Sequence, residues 1–418
     1  MSHTHSRRSA RRAVLTMLIT ILVAATPVSA APPVAAANAS VITTWNAVAA
    51  STIPANPAAF LNYAFVHLAM YNAVVGITGE YDQYQWDSPA PHNASPEAAA
   101  AAAAHRVLVT YFPAAQAALD AQLTASLALI PDGGPQDKGI GYGIRAADRI
   151  IALRANDGRF AAVTVPTADA AGEWSPAPPA MAPFAVPWLG GVTPLAVASH
   201  QQFDPGAPPA LGTALYRAEL EEVRTIGSST STVRTEAQTL TARYFADVPF
   251  GPMEAALRDV ATRRALDISD SARLFAATNT AIADAIGTVW NDKLRTMWWR
   301  PISAIRETIS DGDPLTVPDP QWTPLINTPP YPDWPSGLCA VVSALSTSLV
   351  RTTGGVDLNL VSPSQGLRHW ADKTVLDQTA VDARVWSGIH FRTADQVSIT
   401  VGNNVANWTF DHYFAPAN

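Results

Sequence analysis

Residues 383–395 read Ala-Arg-Val-Trp-Ser-Gly-Ile-His-Phe-Arg-Thr-Ala-Asp, and the six-residue step from Arg384 to His390 constrains the fold most. On an unbroken helix that step rotates a side chain by about 240°, so the two groups face apart. A break at Ser387–Gly388 lets them converge, because glycine adopts backbone angles that other residues avoid. Alone, the stretch fits equally well a surface arginine and a hydrogen-bonded core histidine.

Two further stretches change the balance. In 290–301, Trp-Asn-Asp-Lys-Leu-Arg-Thr-Met-Trp-Trp-Arg-Pro, Lys293 and Arg300 are seven apart, which predicts both on nearly one helix face. Pro301 disfavours helix at the residue before it, so Arg300 is expected at a helix end. Cations among Trp290, Met297, Trp298 and Trp299 need an anionic partner. In 331–339, Tyr-Pro-Asp-Trp-Pro-Ser-Gly-Leu-Cys, a proline-rich approach gives way at Ser336–Gly337 to an apolar helical run. Such a helix start offers unpaired amides to an anion, and Gly337 permits close approach; it also fits an ordinary Pro-Ser helix start.

Together the stretches supply Lys293, Arg300, Arg384, the Ser336 hydroxyl, the Gly337 amide and the His390 imidazole. Three cations, neutral donors and one imidazole suit a tetrahedral oxyanion such as phosphate or vanadate, with His390 free to bond its central atom. The order Lys-x6-Arg-Pro, Pro-Ser-Gly, Arg-x5-His resembles the signature shared by vanadium-dependent haloperoxidases and the type-2 phosphatidic-acid phosphatase superfamily. Residues 65–74, with His67, and 102–109 are similar to the N-terminal helices of secreted bacterial haloperoxidase-like proteins, so the resemblance covers most of the chain.

That resemblance implies an all-α helical bundle and vanadate as cofactor. His390 would be its axial ligand, with Lys293, Arg300, Ser336, Gly337 and Arg384 around its oxygens. His390, Lys293 and Arg384 would carry catalysis, Lys293 by polarising hydrogen peroxide toward attack by halide, with a small organic molecule accepting the oxidised halogen. Trp290 and Tyr331 stand where the family places aromatic residues beside the halide, and Asp247 resembles its buried carboxylate that pairs with the site arginine, here Arg384. The chain departs from the pattern at Leu338, where the family has an acid/base histidine, and Asp395 follows His390 by five residues rather than three. Losing a general acid/base costs on the order of a hundredfold to ten-thousandfold. Two alternatives therefore stand beside the haloperoxidase: a cofactor-free phosphatase passing a phosphate ester through a phosphohistidine, and a non-redox oxyanion-binding relative.

The remainder is consistent with an exported globular enzyme. Residues 1–12 are basic, 13–25 apolar, and Val28, Ser29 and Ala30 form a signal-peptidase site, which predicts a removed leader over 1–30 and a secreted protein without an anchor. Arg11-Arg12 ahead of the apolar run also resembles a twin-arginine signal. Residues 31–418 are expected to form one helical domain with the oxyanion site within 284–400; no second long apolar run is evident. With 48% hydrophobic and 15% charged residues, the chain has material for a large core. Cys339 is the only cysteine, so no intramolecular disulfide forms, and it reads as a small buried hydrophobe. A net charge of −7 with no basic stripe excludes a nucleic-acid partner. Nothing in the pattern specifies an oligomeric state.

Periodicity predicts helices over 41–76, over 96–130 with a break near Pro113, over 137–155, 210–226, 230–245 and 269–300, from 338 to 350, and over 394–414. His67 falls on a core face. The proline-rich stretch 163–209 is expected as an ordered surface loop held by Trp174, Phe184 and Trp188 near the mouth of the site, and 301–335 mostly as loop.

Overall fold

The structure, a computed structural model, describes residues 38–307 and 309–417; the leader predicted over 1–30 lies outside them. Helices dominate because long apolar stretches recur with three- and four-residue spacing. α1 (Ser40–Thr52), α2 (Ala59–Thr78), α3 (Pro96–Tyr111), α4 (Gln116–Leu127) and α5 (Gly134–Leu153) form a first bundle, and the break before α4 falls at Pro113 as predicted. Ser95 accepts the amide of Ala98 and Pro96 opens α3, a start that costs no helical hydrogen bond. α2 is apolar all round and long enough to cross a membrane, a run that the sequence analysis did not count. Here it is a core helix, packed against α3, α5 and the 29-residue α9 (Ile268–Thr296).

After the first bundle, 163–209 crosses the surface with one short 3₁₀ turn at Pro187–Gly191. Its anchor is Asp284 of α9, whose carboxylate accepts the amides of Leu195, Ala196 and Val197 at 2.6–2.9 Å. α6 (Ala214–Ile226), α7 (Glu236–Asp247) and α8 (Gly251–Arg263) follow. α7 starts six residues later than periodicity predicts, at a capping box in which Thr235 and Gln238 satisfy each other's backbone.

The second bundle is built on α9, with α11 (Gly337–Thr353), α12 (Lys373–Trp386) and α13 (Arg392–His412). Gly402 lets α13 approach α11 closely, since a Cβ there would lie 2.3 Å from the Ala340 carbonyl oxygen. α8 was not predicted, and neither were two further elements. α10 (Pro301–Arg306) is a single turn and a half, and a hairpin of β1 (Leu358–Ser362) and β2 (Gly366–Trp370) pairs Leu358 with Trp370.

Between the bundles' N-terminal helices lies a buried polar network. His67 does belong to the core: Asn46 bonds its Nε2 at 2.9 Å, donates to Glu254, and accepts from Arg258. Burial raises the Glu254 carboxyl from 4.5 to about 7. A folded-state value above the unfolded one means that this residue's contribution is complete below pH 4.5 and is lost as pH rises through 7. Glu254→Gln keeps the acceptor and removes the charge. We expect it to leave stability near pH 4 unchanged and to add roughly 1–3 kcal/mol at pH 8, read by denaturant unfolding at both values. A variant less stable than the parent at pH 8 would contradict this account.

Candidate oxyanion site

Each residue of the site stands at a helix end. α9 stops at Met297, which takes a left-handed conformation (φ +46°) and returns its amide to the Lys293 carbonyl. Arg300 follows in extended backbone and opens α10 ahead of Pro301. The two cations therefore do not share a helix face, as their spacing predicted; the turn at Met297 brings them together. Ser336 and Gly337 start α11, whose first turn is tied to α13 by the bond from the Ser336 amide to the Ala394 carbonyl, 3.1 Å. α12 ends at Trp386 and Gly388 turns the chain with φ +78°, so the helix breaks where the Arg384–His390 spacing requires.

Lys293, Arg300, Ser336 and His390 are all buried together. The Lys293 ammonium donates to the carbonyls of Pro332, Asp333 and Pro335 at 2.5–2.9 Å, which uses its three donors. Burial first, then Arg300, lowers its affinity for the third proton, and the Asp333 and Asp395 carboxyls act in the opposite sense. Arg300 donates through Nε to the Tyr331 carbonyl (2.7 Å) and through Nη1 to the Ile389 carbonyl (2.8 Å), and Nη1 also lies 3.0 Å from His390 Nε2. Burial, then Arg300, holds the His390 imidazole well below its usual range, so the ring is neutral.

The other ring nitrogen, Nδ1, lies 2.6 Å from an oxygen of Asp333, off the axis of a good hydrogen bond. Burial raises this carboxyl to about 7 against the pull of Arg300 and Lys293. Asp333, missed in the sequence, is thus the carboxyl beside the imidazole. The one available signal was an acid between prolines, two positions ahead of Pro-Ser-Gly. Asp395 is not that partner: it is buried beside Cys339, 3.5 Å from its sulfur, with burial raising both groups.

The expected Asp247–Arg384 pair does not form. Asp247 ends α7 facing the hairpin turn, where it accepts from Ser362 and Ser364. The Arg384 side chain has no hydrogen-bond partner among the described residues, and its Nε is buried. Arg300 Nη2 and Ser336 Oγ are likewise buried donors without a partner, although Ser336 lies near Asp395 and Cys339. Unpaired buried donors are costly. Two of them, on the guanidiniums that act on one neutral imidazole, fit the oxygens of a bound oxyanion, so the residues present suit vanadate or phosphate.

Next to this cup is a cavity of about 320 Å³. Trp290 and Tyr331 line it with ring centroids 4.8 Å apart, and Leu338 and Gly337 form part of its wall. Arg384 reaches both cup and cavity, whereas Lys293, Arg300, Ser336 and His390 lie behind the wall. The 163–209 loop supports Trp290 from the far side, through the Ala185 carbonyl on its indole nitrogen at 3.2 Å, and contributes nothing to the cavity lining.

Residues 273–418 match the family described as the VCPO second helical-bundle domain. No curated protein matches the chain in sequence. Among solved structures, the fold is similar to the first bacterial vanadium-dependent iodoperoxidase, at 22% identity and a TM-score of 0.77, over 91% of this chain and 96% of the other. It is also similar to a holo-type bacterial vanadium-dependent chloroperoxidase, at 15% identity and a TM-score of 0.71, over 90% and 97% of the two chains. The apo-type bacterial chloroperoxidase gives 16% identity and a TM-score of 0.68 over 84% and 92%. At these identities the structures establish a common fold, and the family match is confined to residues 273–418, from the second turn of α9 through α13.

Proposed function

We propose that this protein is a secreted vanadate-dependent haloperoxidase, using hydrogen peroxide to oxidise halide. The observation that carries the reading is the pair of unpartnered buried donors, Arg300 Nη2 and Arg384 Nε, on guanidiniums whose charge acts on the neutral His390 ring. Vanadate, when bound, supplies a Lewis acid that activates peroxide without changing its own oxidation state. The Arg300 Nη1 donor at His390 Nε2 favours the tautomer that carries its lone pair on Nε2, with the Asp333 carboxyl 2.6 Å from Nδ1. Arg300 Nη1 lies 3.0 Å from Nε2, and His390 would hold the oxyanion through that nitrogen. Arg300, Arg384, Ser336 and the Gly337 amide would neutralise its charge. Lys293 holds the 332–335 segment against the cup and acts on the bound oxygens only through its field.

The phosphatase reading fares worse, because a leaving alkoxide needs a proton and the cavity lining carries no carboxyl or imidazole. Oxidation of a phenol-type dye by peroxide and bromide or iodide, with and without vanadate, tests the proposal, alongside hydrolysis of an activated aryl phosphate. Vanadate-dependent halogenation is expected; phosphate hydrolysis alone would replace the reading. With vanadate bound, Leu338→His places an acid/base group beside Gly337 and is expected to raise kcat/KM by about a hundredfold. An unchanged rate would mean that another group already moves the proton.

A further inference from the structure

We propose that the cavity beside the cup binds a small aromatic anion. Its walls are gathered from separate elements: Phe60 from α2, Phe245 from α7, Phe250 before α8, Trp290 from α9 and Leu338 from α11. Because five elements contribute, its shape is set by the packing of the fold. At about 320 Å³ it lies within the range of small-molecule sites.

Two features select the ligand. The first is ring surface. Phe60 and Phe250 pack tilted at 33° with centroids 5.0 Å apart on one part of the wall, and Trp290 and Tyr331 pair at 52° and 4.8 Å on another, so a flat aromatic body meets offset and edge contacts. The second is charge. Arg384 is the only charged residue in the lining, is 6% exposed, and has no hydrogen-bond partner among the described residues. Asn327 is the only other side chain of the lining, besides the Tyr331 hydroxyl and Trp290 indole, that offers a polar group. A buried, unpaired guanidinium facing apolar walls favours an anionic oxygen over a neutral one. An inorganic anion would satisfy Arg384 and leave the aromatic walls in contact with water. An apolar neutral molecule would do the reverse. A carboxylate or phenolate on an aromatic ring satisfies both.

Binding of such an anion does not depend on the haloperoxidase proposal; its use as acceptor of the oxidised halogen rests on that reading. The test is calorimetric titration of the vanadate-free protein with 2-naphthoate, 2-naphthamide, acetate and inorganic phosphate. Naphthoate is expected to bind at least about tenfold more tightly than naphthamide, which lacks the charge, and than acetate, which lacks the ring. Val341→Trp, which fills the cavity from α11, is expected to abolish the preference over acetate while leaving circular dichroism unchanged. Equal binding of naphthoate and acetate, or of naphthoate and naphthamide, would overturn the inference on the parent protein alone. Should the variant fold poorly, those parent comparisons still decide. Vanadate-dependent halogenation is measured on the same preparation. Activity without naphthoate preference removes this inference and leaves the function; preference without activity does the opposite.

Discussion

His390→Ala is expected to abolish vanadate-dependent halide oxidation, lowering kcat/KM by about a hundredfold or more. Partners in the outer shell of a metal site already cost tenfold to a hundredfold when removed, and loss of the ligand itself cannot cost less. The imidazole is buried, neutral and in contact with both Arg300 and Asp333, so its removal takes away the only histidine in the cup. Truncation also leaves Asp333 without the ring and opens a small cavity, a stability cost of roughly 1–3 kcal/mol that a protein of this size tolerates. Vanadium-51 NMR of the bound anion, together with the halogenation rate, separates loss of binding from loss of turnover. Retention of activity within a few-fold would remove His390 from the site.

Gly388→Ala acts on the same residue through the backbone. At φ +78° an L side chain is strained, and the added Cβ would lie 2.4 Å from the Gly227 carbonyl oxygen and 2.9 Å from Pro324. Neither contact is with the far end of a flexible side chain, so the 387–390 turn or the Gly227 loop has to move. Destabilisation of about 3 kcal/mol or more is expected in urea unfolding, with loss of activity under conditions where the protein remains folded. The functional loss follows because the turn fixes the distance between Arg384 and His390. Parent-like stability would mean that the turn and the 227 loop are not in contact.

The convergence of three distant basic segments was legible because each carried its own punctuation. Gly388 broke one helix, Pro301 opened another, and Ser336–Gly337 began a third. Spacing misled for Lys293 and Arg300, since it assumes a continuous helix and Met297 ends it in a conformation that methionine rarely adopts. Asp247 was assigned by resemblance in chain order, but a carboxylate at a helix end takes the nearest donors, here two serines of a hairpin. That hairpin escaped notice because five-residue strands carry too few alternations to separate from loop. Asp333 was unreadable for a different reason: its partner is 57 positions away in sequence, and only the fold of 331–336 onto α13 brings them within 2.6 Å.

The chain contains three lysines, Lys138, Lys293 and Lys373. Lys293 is buried with its nitrogen against three carbonyls, so a reagent reaches it only when the Pro332–Pro335 segment lets go. Acylating reagents thus meet an exposed Lys138, a half-buried Lys373 beside Asp377, and one amine that reacts only as fast as that segment opens, which turns slow labelling at a single position into a clock for breathing in the interior of the fold.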